Sequence, residues 1–159
     1  MKAVVQRVLR ARVESEGVEL ASIGPGMLVL VCALQGDGVR EARRLAERIA
    51  RFRFFADDSG RMNVSALERA LEVLVVSQFT LAADGRRGRR PSFDRALAPD
   101  EARRLCDHFV DALRELGLRV ATGRFGARMQ VELVNDGPVT FVLDEDPRPP
   151  EARSPGSDA

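Results

Sequence analysis

The sequence predicts an α+β fold, a mostly antiparallel β-sheet with two main helices. Short runs rich in valine, isoleucine and leucine crowd the first 34 residues and recur towards the other end. Two stretches, starting near Gly38 and Pro99, instead space their apolar residues for a helix. The 159 residues suit one domain, and 45% hydrophobic content supplies its core.

Taken in order, "AVVQRVLRARVE" reads as an early strand pair or one long bent strand. "GVELASIG" and "MLVLVCAL" follow, divided by the turn signal "GPG". These pieces lie close together in the chain, which predicts an antiparallel meander. From Gly38 onward Val39, Ala42, Leu45, Ala46, Ile49 and Phe52 form a helical stripe, with Asp37 as the expected N-cap. "ADDSGRMN" breaks that helix. "LEVLVVSQF" is dense enough in β-branched residues to be a buried central strand.

The second helix, "APDEARRLCDHFVDALRELG", opens with Pro99 and acids in its first turn and stops at Gly117. Its stripe is Ala102, Leu105, Cys106, Phe109, Leu113 and Leu116. "RVATGRFG", "MQVELV" and "VTFVL" close the folded part. Between the last two lies "NDGPVT", residues 135–140. Proline cannot donate to a sheet ladder and glycine weakens a strand. Gly137-Pro138 is therefore either a plain turn or a rigid backbone shape with a purpose. Residues 144–159 form an acidic, proline-rich tail, expected to be disordered at its end.

Charge says little globally, with 25 basic and 24 acidic residues, all but Lys2 of the basic ones being arginine. Locally, "RRGRRPSFDR" from Arg86 to Arg95 sets five arginines against Asp94. A solvated loop and a phosphate-contacting loop are both open readings, since arginine forks match phosphate oxygens. The N-terminus lacks the features of a signal peptide, and the longest apolar run is far too short to span a bilayer. Cys32 and Cys106 lack metal-ligand spacing and read as buried reduced thiols of a cytoplasmic protein.

The catalytic inventory is short. His108 is the only histidine, on the polar face of the second helix, and there is no tyrosine or tryptophan. That nearly removes Ser-His-Asp and Cys-His chemistry and removes any histidine-based metal site. No metal or other cofactor is expected. Backbone donors, hydroxyls and groups on the substrate remain. "SQFT", Ser77 to Thr80, ends the most apolar strand. It is either an ordinary strand end or one aimed at a pocket, with Ser77 or Gln78 as a donor. Phe125 and Met129 are either core or pocket lining.

Taken together, "QRV", "RMN", "VVSQFTLAAD", "RRPSF", "TGRF" and "MQVELVNDGPVTF" closely resemble the D-aminoacyl-tRNA deacylases, the D-tyrosyl-tRNA deacylase family. The resemblance covers residues 1–143, which would be the deacylase domain. Its specific motifs are Ser-Gln-x-x-Leu (Ser77, Gln78, Leu81) and Asn-x-Gly-Pro-x-Thr (Asn135, Gly137, Pro138, Thr140). It implies a homodimer with active sites at the subunit interface, acting on aminoacyl-tRNA and also on glycyl-tRNA. It implies a cis Gly137-Pro138 bond inserted into the other subunit's site and supported by Arg7. Gln78, Phe79, Phe125 and Met129 match pocket residues, and Thr80 matches a threonine once proposed as nucleophile. The family is generally viewed as using the tRNA 2′-hydroxyl rather than a protein nucleophile. Arg86, Arg87, Arg89 and Arg90 are the candidate tRNA contacts. Two rivals stand beside this reading: a related deacylase group with a trans Gly-Pro that accepts some L-alanyl-tRNA, and a non-enzymatic nucleic-acid-binding protein.

Overall fold

The computed structural model describes residues 1–86 and 88–145. Strand β1 (Lys2–Ser15) is a single long strand. Glu16 and Gly17, at φ of 54° and 75°, turn it into β2 (Val18–Ile23). Two successive positive φ values are what a tight hairpin turn of matching twist requires. Gly24 and Pro25 lead into β3 (Gly26–Cys32).

The expected meander does not form. β3 pairs with β1, not with β2. β1 is long enough to serve two neighbours on one edge: Lys2–Val8 take β3 and Ala11–Ser15 take β2. Its other edge is taken along almost its whole length by β8 (Gln130–Asp144). β1 is thus the hub of the sheet.

The rest of the main sheet is parallel. β6 (Glu72–Ser77) lies parallel to β3, and β7 (Arg119–Thr122) parallel to β6. Among the described strands, antiparallel pairing joins β1 to its three partners and β4 (Phe55–Ala56) to β5 (Met62–Val64), with isolated antiparallel bridges at Leu34–Ala96 and Asp84–Ser92. The reason is connectivity. α1 (Val39–Arg51) lies between β3 and β6, and α2 (Pro99–Glu115) between β6 and β7. Parallel neighbours need such crossovers. The α+β class stands, with a larger parallel share than expected.

β3 and β6 are buried on both faces, as their unbroken apolar runs require. Met27, Val29, Val31, Val73 and Val75 join the core beneath the helices, with Ala42, Leu45, Ile49, Leu105, Phe109 and Leu113. Leu28, Leu74 and Val76 face a second core with Val8, Ala11, Val13 and Ile23. At Gly26 the approach is so close that a Cβ would sit 2.0 Å from the Glu72 carbonyl oxygen, so only glycine fits.

Both helices lie where their stripes predict. Asp37, however, is not the N-cap of α1; Gly38 is, and the Glu41 carboxylate accepts the Gly38 amide at 2.9 Å. Asp37 instead accepts the Leu34 amide at 2.6 Å and the N-terminal ammonium at 2.7 Å. α2 begins at Pro99 and is followed by Gly117 at φ 100°. His108 is exposed.

Gly137-Pro138 is not a turn between strands. "QVELV" and "VTFVL" belong to one strand, β8, which carries the pair in its middle. The acidic tail beyond Glu145 lies outside the described residues. Glu145 itself is buried and meets Arg44 at 2.9 Å.

Candidate active site

The carboxyl ends of the parallel strands β3 and β6 open a cavity of about 270 Å³. Such strand ends are where α/β sheets characteristically place ligands. Val31 and Cys32 of β3 and the following Ala33 line it on one side, and Ser77, Gln78 and Phe79 from β6 and the turn after it. Ala102 and Cys106 of α2, Leu97, and Phe125, Gly126, Ala127 and Met129 also line it. Four of the residues proposed from "SQF" and "TGRF" thus share one cavity with Met129.

The strand end is held firmly. The Gln78 amide donates to the Val31 carbonyl at 2.8 Å, continuing the β3–β6 ladder by one step. The chain then enters a short 3-10 helix, Phe79–Ala82. The opening amides of a helix have no acceptor within it. Among the described residues, the N–H groups of Phe79 and Thr80 donate to no backbone carbonyl. The Gln78 side-chain amide donates to the Thr80 hydroxyl, so these two polar groups hold each other. Phe79 is 60% exposed, and its ring packs edge-on against Phe93 at 5.1 Å.

Neither thiol in the wall is poised as a nucleophile. Burial, with small contributions from Cys32 and Asp107, pushes the Cys106 thiol up to about 12. Burial, then Asp37, raises Cys32. The thiolate is the reactive form, so both cysteines act as apolar wall.

The second motif lies elsewhere. Along β8 the pairing with β1 passes from Thr140 opposite Gln6 to Asn135 opposite Val8. Residues 136–139 therefore stand against Arg7 alone and bulge from the sheet. Asn135 Oδ1 accepts the Val139 amide at 2.8 Å, and its Nδ2 donates to the Thr140 hydroxyl at 2.9 Å. This bracket gives the Asn and Thr of the motif a physical purpose. Inside it the Gly137-Pro138 bond is cis, and Gly137 has φ 131°. A Cβ on Gly137 would sit 2.7 Å from Val139 Cγ2 and 3.1 Å from Arg7 Nη2. Both Gly137 and Pro138 are exposed.

Arg7 fastens the bulge from below. Its Nε donates to the Asp136 carbonyl at 3.1 Å and its Nη1 to the Phe54 carbonyl at 2.8 Å. None of Arg7, Gly137 and Pro138 lines the strand-end cavity. One chain therefore places the two motifs at separate points.

In the basic loop, Arg86 is clamped on Asp84 through its backbone amide, Nε and Nη2. This hydrogen bonding holds the Asp84 carboxyl well below the usual range. Arg89 and Arg90 are exposed. Arg87 lies outside the described residues. No group of three or more histidine, cysteine or acidic side chains suited to a metal occurs among the described residues. No described helix is long and apolar enough to cross a membrane.

A family model for D-Tyr-tRNA(Tyr) deacylase matches residues 4–144. The chain belongs to this deacylase family. A D-aminoacyl-tRNA deacylase of Heliobacterium modesticaldum is 58% identical over 144 residues, covering 91% of this chain and 96% of that protein. One from Geobacter sulfurreducens is 56% identical over 144 residues, covering 91% and 95%. Among solved structures, that of a c-Myc DNA Unwinding Element Binding Protein is similar at a TM-score of 0.86 and 38% identity, over 92% of this chain and 99% of its own. A probable eukaryotic D-amino acid tRNA deacylase, at a TM-score of 0.77 and 18% identity, covers 89% and 97% and shares the fold.

For this member of the deacylase family, residue-by-residue reading missed much of the cavity wall. Cys32, Leu97, Ala102 and Cys106 line it, yet in the sequence they are ordinary apolar positions. The only signal was that Cys32 lies near the end of one strongly apolar run and Ser77 ends another. That signal becomes useful only once those runs are known to be parallel neighbours.

Proposed function

We propose that the protein hydrolyses the ester joining a D-amino acid to the terminal adenosine of tRNA, releasing free D-amino acid and tRNA. It is a hydrolase of the aminoacyl-tRNA ester, acting as a cytoplasmic homodimer that proofreads chirality. Glycyl-tRNA mischarged on a non-cognate tRNA is a second substrate. The observation that carries the dimeric site is the separation of the motifs. The strand-end cavity holds Ser77, Gln78 and Phe79, while the exposed Gly137-Pro138 bulge stands outside it. A second copy of the chain would bring its bulge to this cavity.

In this reading the chemistry needs no protein nucleophile. Water attacks the ester carbonyl carbon, and the developing oxyanion takes hydrogen bonds from the amides of Phe79 and Thr80. The carbon–oxygen bond to the ribose then breaks, and its oxygen takes a proton, assisted by the vicinal 2′-hydroxyl. The main-chain carbonyls of the other subunit's bulge accept from the substrate ammonium and fix the Cα. An L side chain would strike that backbone, while a D side chain points to solvent. Rejection by clash is strict yet indifferent to side-chain identity, and glycine passes. Arg89 and Arg90, with Arg86 and Arg87, serve as phosphate contacts from the basic loop.

The test is a pair of time courses on one tRNA charged with D-tyrosine or L-tyrosine, at equal enzyme. Loss of the D ester with the L ester intact supports reaction and gate together. Equal loss of both keeps the hydrolase and discards the gate. Similarity to a protein named for binding a DNA unwinding element, at 38% identity, favours a second reading, a nucleic-acid-binding protein. That reading expects salt-dependent binding with neither ester hydrolysed.

A further inference from the structure

The described arginines divide into those that meet a carboxylate and those that do not. On α1, Arg40, Arg43, Arg44, Arg48 and Arg51 each lie against a glutamate. On the sheet, Arg12 and Arg119 likewise meet Glu132 and Glu72. Among the described residues, Arg10, Arg61, Arg69, Arg89, Arg90, Arg95 and Arg104 have no such partner, and neither do three arginines beside the strand-end cavity. Among the described residues, Arg103, Arg124 and Arg128 have no carboxylate within 4.0 Å. Asp107, one turn beyond Arg103 on α2, forms no ion pair with it. All three arginines are exposed.

Their placement relative to the cavity is specific. The Arg103 guanidinium carbon lies 5.2 Å from the centre of the Phe125 ring, and Phe125 is part of the cavity wall. A guanidinium stacked on an aromatic face keeps its N–H groups available at its edge. Arg124 precedes Phe125, and its backbone amide donates to Met129 Sδ at 3.4 Å, closing the segment on itself. Arg128 stands between Ala127 and Met129, both wall residues, and its carbonyl accepts the Ser15 hydroxyl at 2.9 Å. The backbone carrying Arg124 and Arg128 is therefore pinned at the mouth.

We propose that Arg103, Arg124 and Arg128 form a phosphate-binding rim that receives the single-stranded 3′ end of the tRNA just outside the cavity. This rests on the deacylase reading. A terminal nucleoside seated in the cavity carries its connecting phosphodiesters out through the mouth. Unpaired guanidinium groups there meet those oxygens without first breaking an internal ion pair. In the basic loop, by contrast, Arg86 is already clamped to Asp84. These are positioning residues: they hold the substrate and do not touch the ester.

The test compares two D-tyrosyl esters, of intact tRNA and of adenosine alone, which lacks any phosphate. The variant is R103Q/R124Q/R128Q, with R43Q as a control for lost arginine at an ion-paired site. We expect KM for the tRNA ester to rise about tenfold or more. The plot of log kcat/KM against log salt should flatten by about two, close to 0.7 per lost phosphate contact. The adenosine ester should be hydrolysed within about twofold of the original rate, and the triple lysine variant should recover most of the salt slope. An unchanged KM and slope on tRNA, with the parent enzyme active, overturns the rim alone. Equal losses on both esters also overturn it, since they mark a distorted Phe125 wall. A parent enzyme inactive on both esters overturns the deacylase reading and the rim with it.

Discussion

Arg7 Nε donates to the Asp136 carbonyl at 3.1 Å and faces the Asp136 carboxylate at 3.2 Å, while its Nη1 reaches Phe54 on the far side. One planar side chain thus ties the Gly-Pro bulge of β8 to the segment between α1 and β4. A lysine at position 7 has a single nitrogen and cannot span both carbonyls. Hydrogen bonds from charged groups are worth about 1.5–3 kcal/mol each. Arg7→Lys should therefore lower Tm by several degrees and slow D-ester hydrolysis about tenfold or more. A thermal melt and a single-turnover assay check it, and an unchanged Tm would show that the bridge holds nothing.

Gly137→Ala should damage the same bulge from within. The new Cβ meets Val139 and Arg7 at 2.7 and 3.1 Å, in a backbone region that L residues rarely adopt. Hydrolysis of the D ester should fall by about a hundredfold while the far-ultraviolet circular dichroism stays native, because Gly137 and Pro138 are exposed. The variant also tests the dimeric site. If Gln78→Ala alone proves inactive, re-annealing a mixture of the two proteins should restore activity, since one hybrid site then holds intact Gln78 and intact Gly137. No recovery would place both motifs in the site of a single chain.

Gln78 and Thr80 hold each other through one hydrogen bond. If the backbone amides of the 3-10 turn carry the oxyanion, Thr80→Ala should keep single-turnover rates within about tenfold of the parent. Truncation of a covalent nucleophile instead removes several orders of magnitude. A collapse of that size for Thr80→Ala would restore the hydroxyl as nucleophile.

Thiol reagents should spare the native enzyme. With its thiol pushed up to about 12, Cys106 is thiolate in only about one molecule in ten thousand at pH 8. Iodoacetamide at pH 8 should leave activity intact over an hour, yet label both cysteines in urea. The sign for stability follows. The folded chain keeps protons on Cys106 and Cys32 that the unfolded chain releases, beginning near pH 8.5. The contribution is full below that pH and is lost as pH rises towards 12. A urea midpoint that did not fall between pH 8.5 and 10.5 would contradict the burial of these thiols.

Much of this protein is written locally. The stripes of α1 and α2 need only a 3.6-residue period, and both helices lie where those stripes run. The apolar density of β3 and β6 needs only the rule that strands buried on both faces cannot alternate. The missing histidine chemistry is a matter of composition, and "SQFT" and "NDGPVT" mark the family because their order is linear. Pairing is not local. β3 and β6 are separated by 39 residues between Cys32 and Glu72, and nothing in either run states that they lie side by side in parallel. That adjacency alone turns Cys32 and Ser77 into two lips of one cavity. Asp37 shows the same limit: its spacing suits an N-cap, but a distant ammonium and the Leu34 amide compete for its oxygens. Gly137-Pro138 carries every local sign of a turn, yet β1 pairs with the chain on both sides of it and keeps it within a strand. Local sequence sets the conformations available to a segment; which one survives depends on partners distant along the chain, and only the folded sheet brings them into contact.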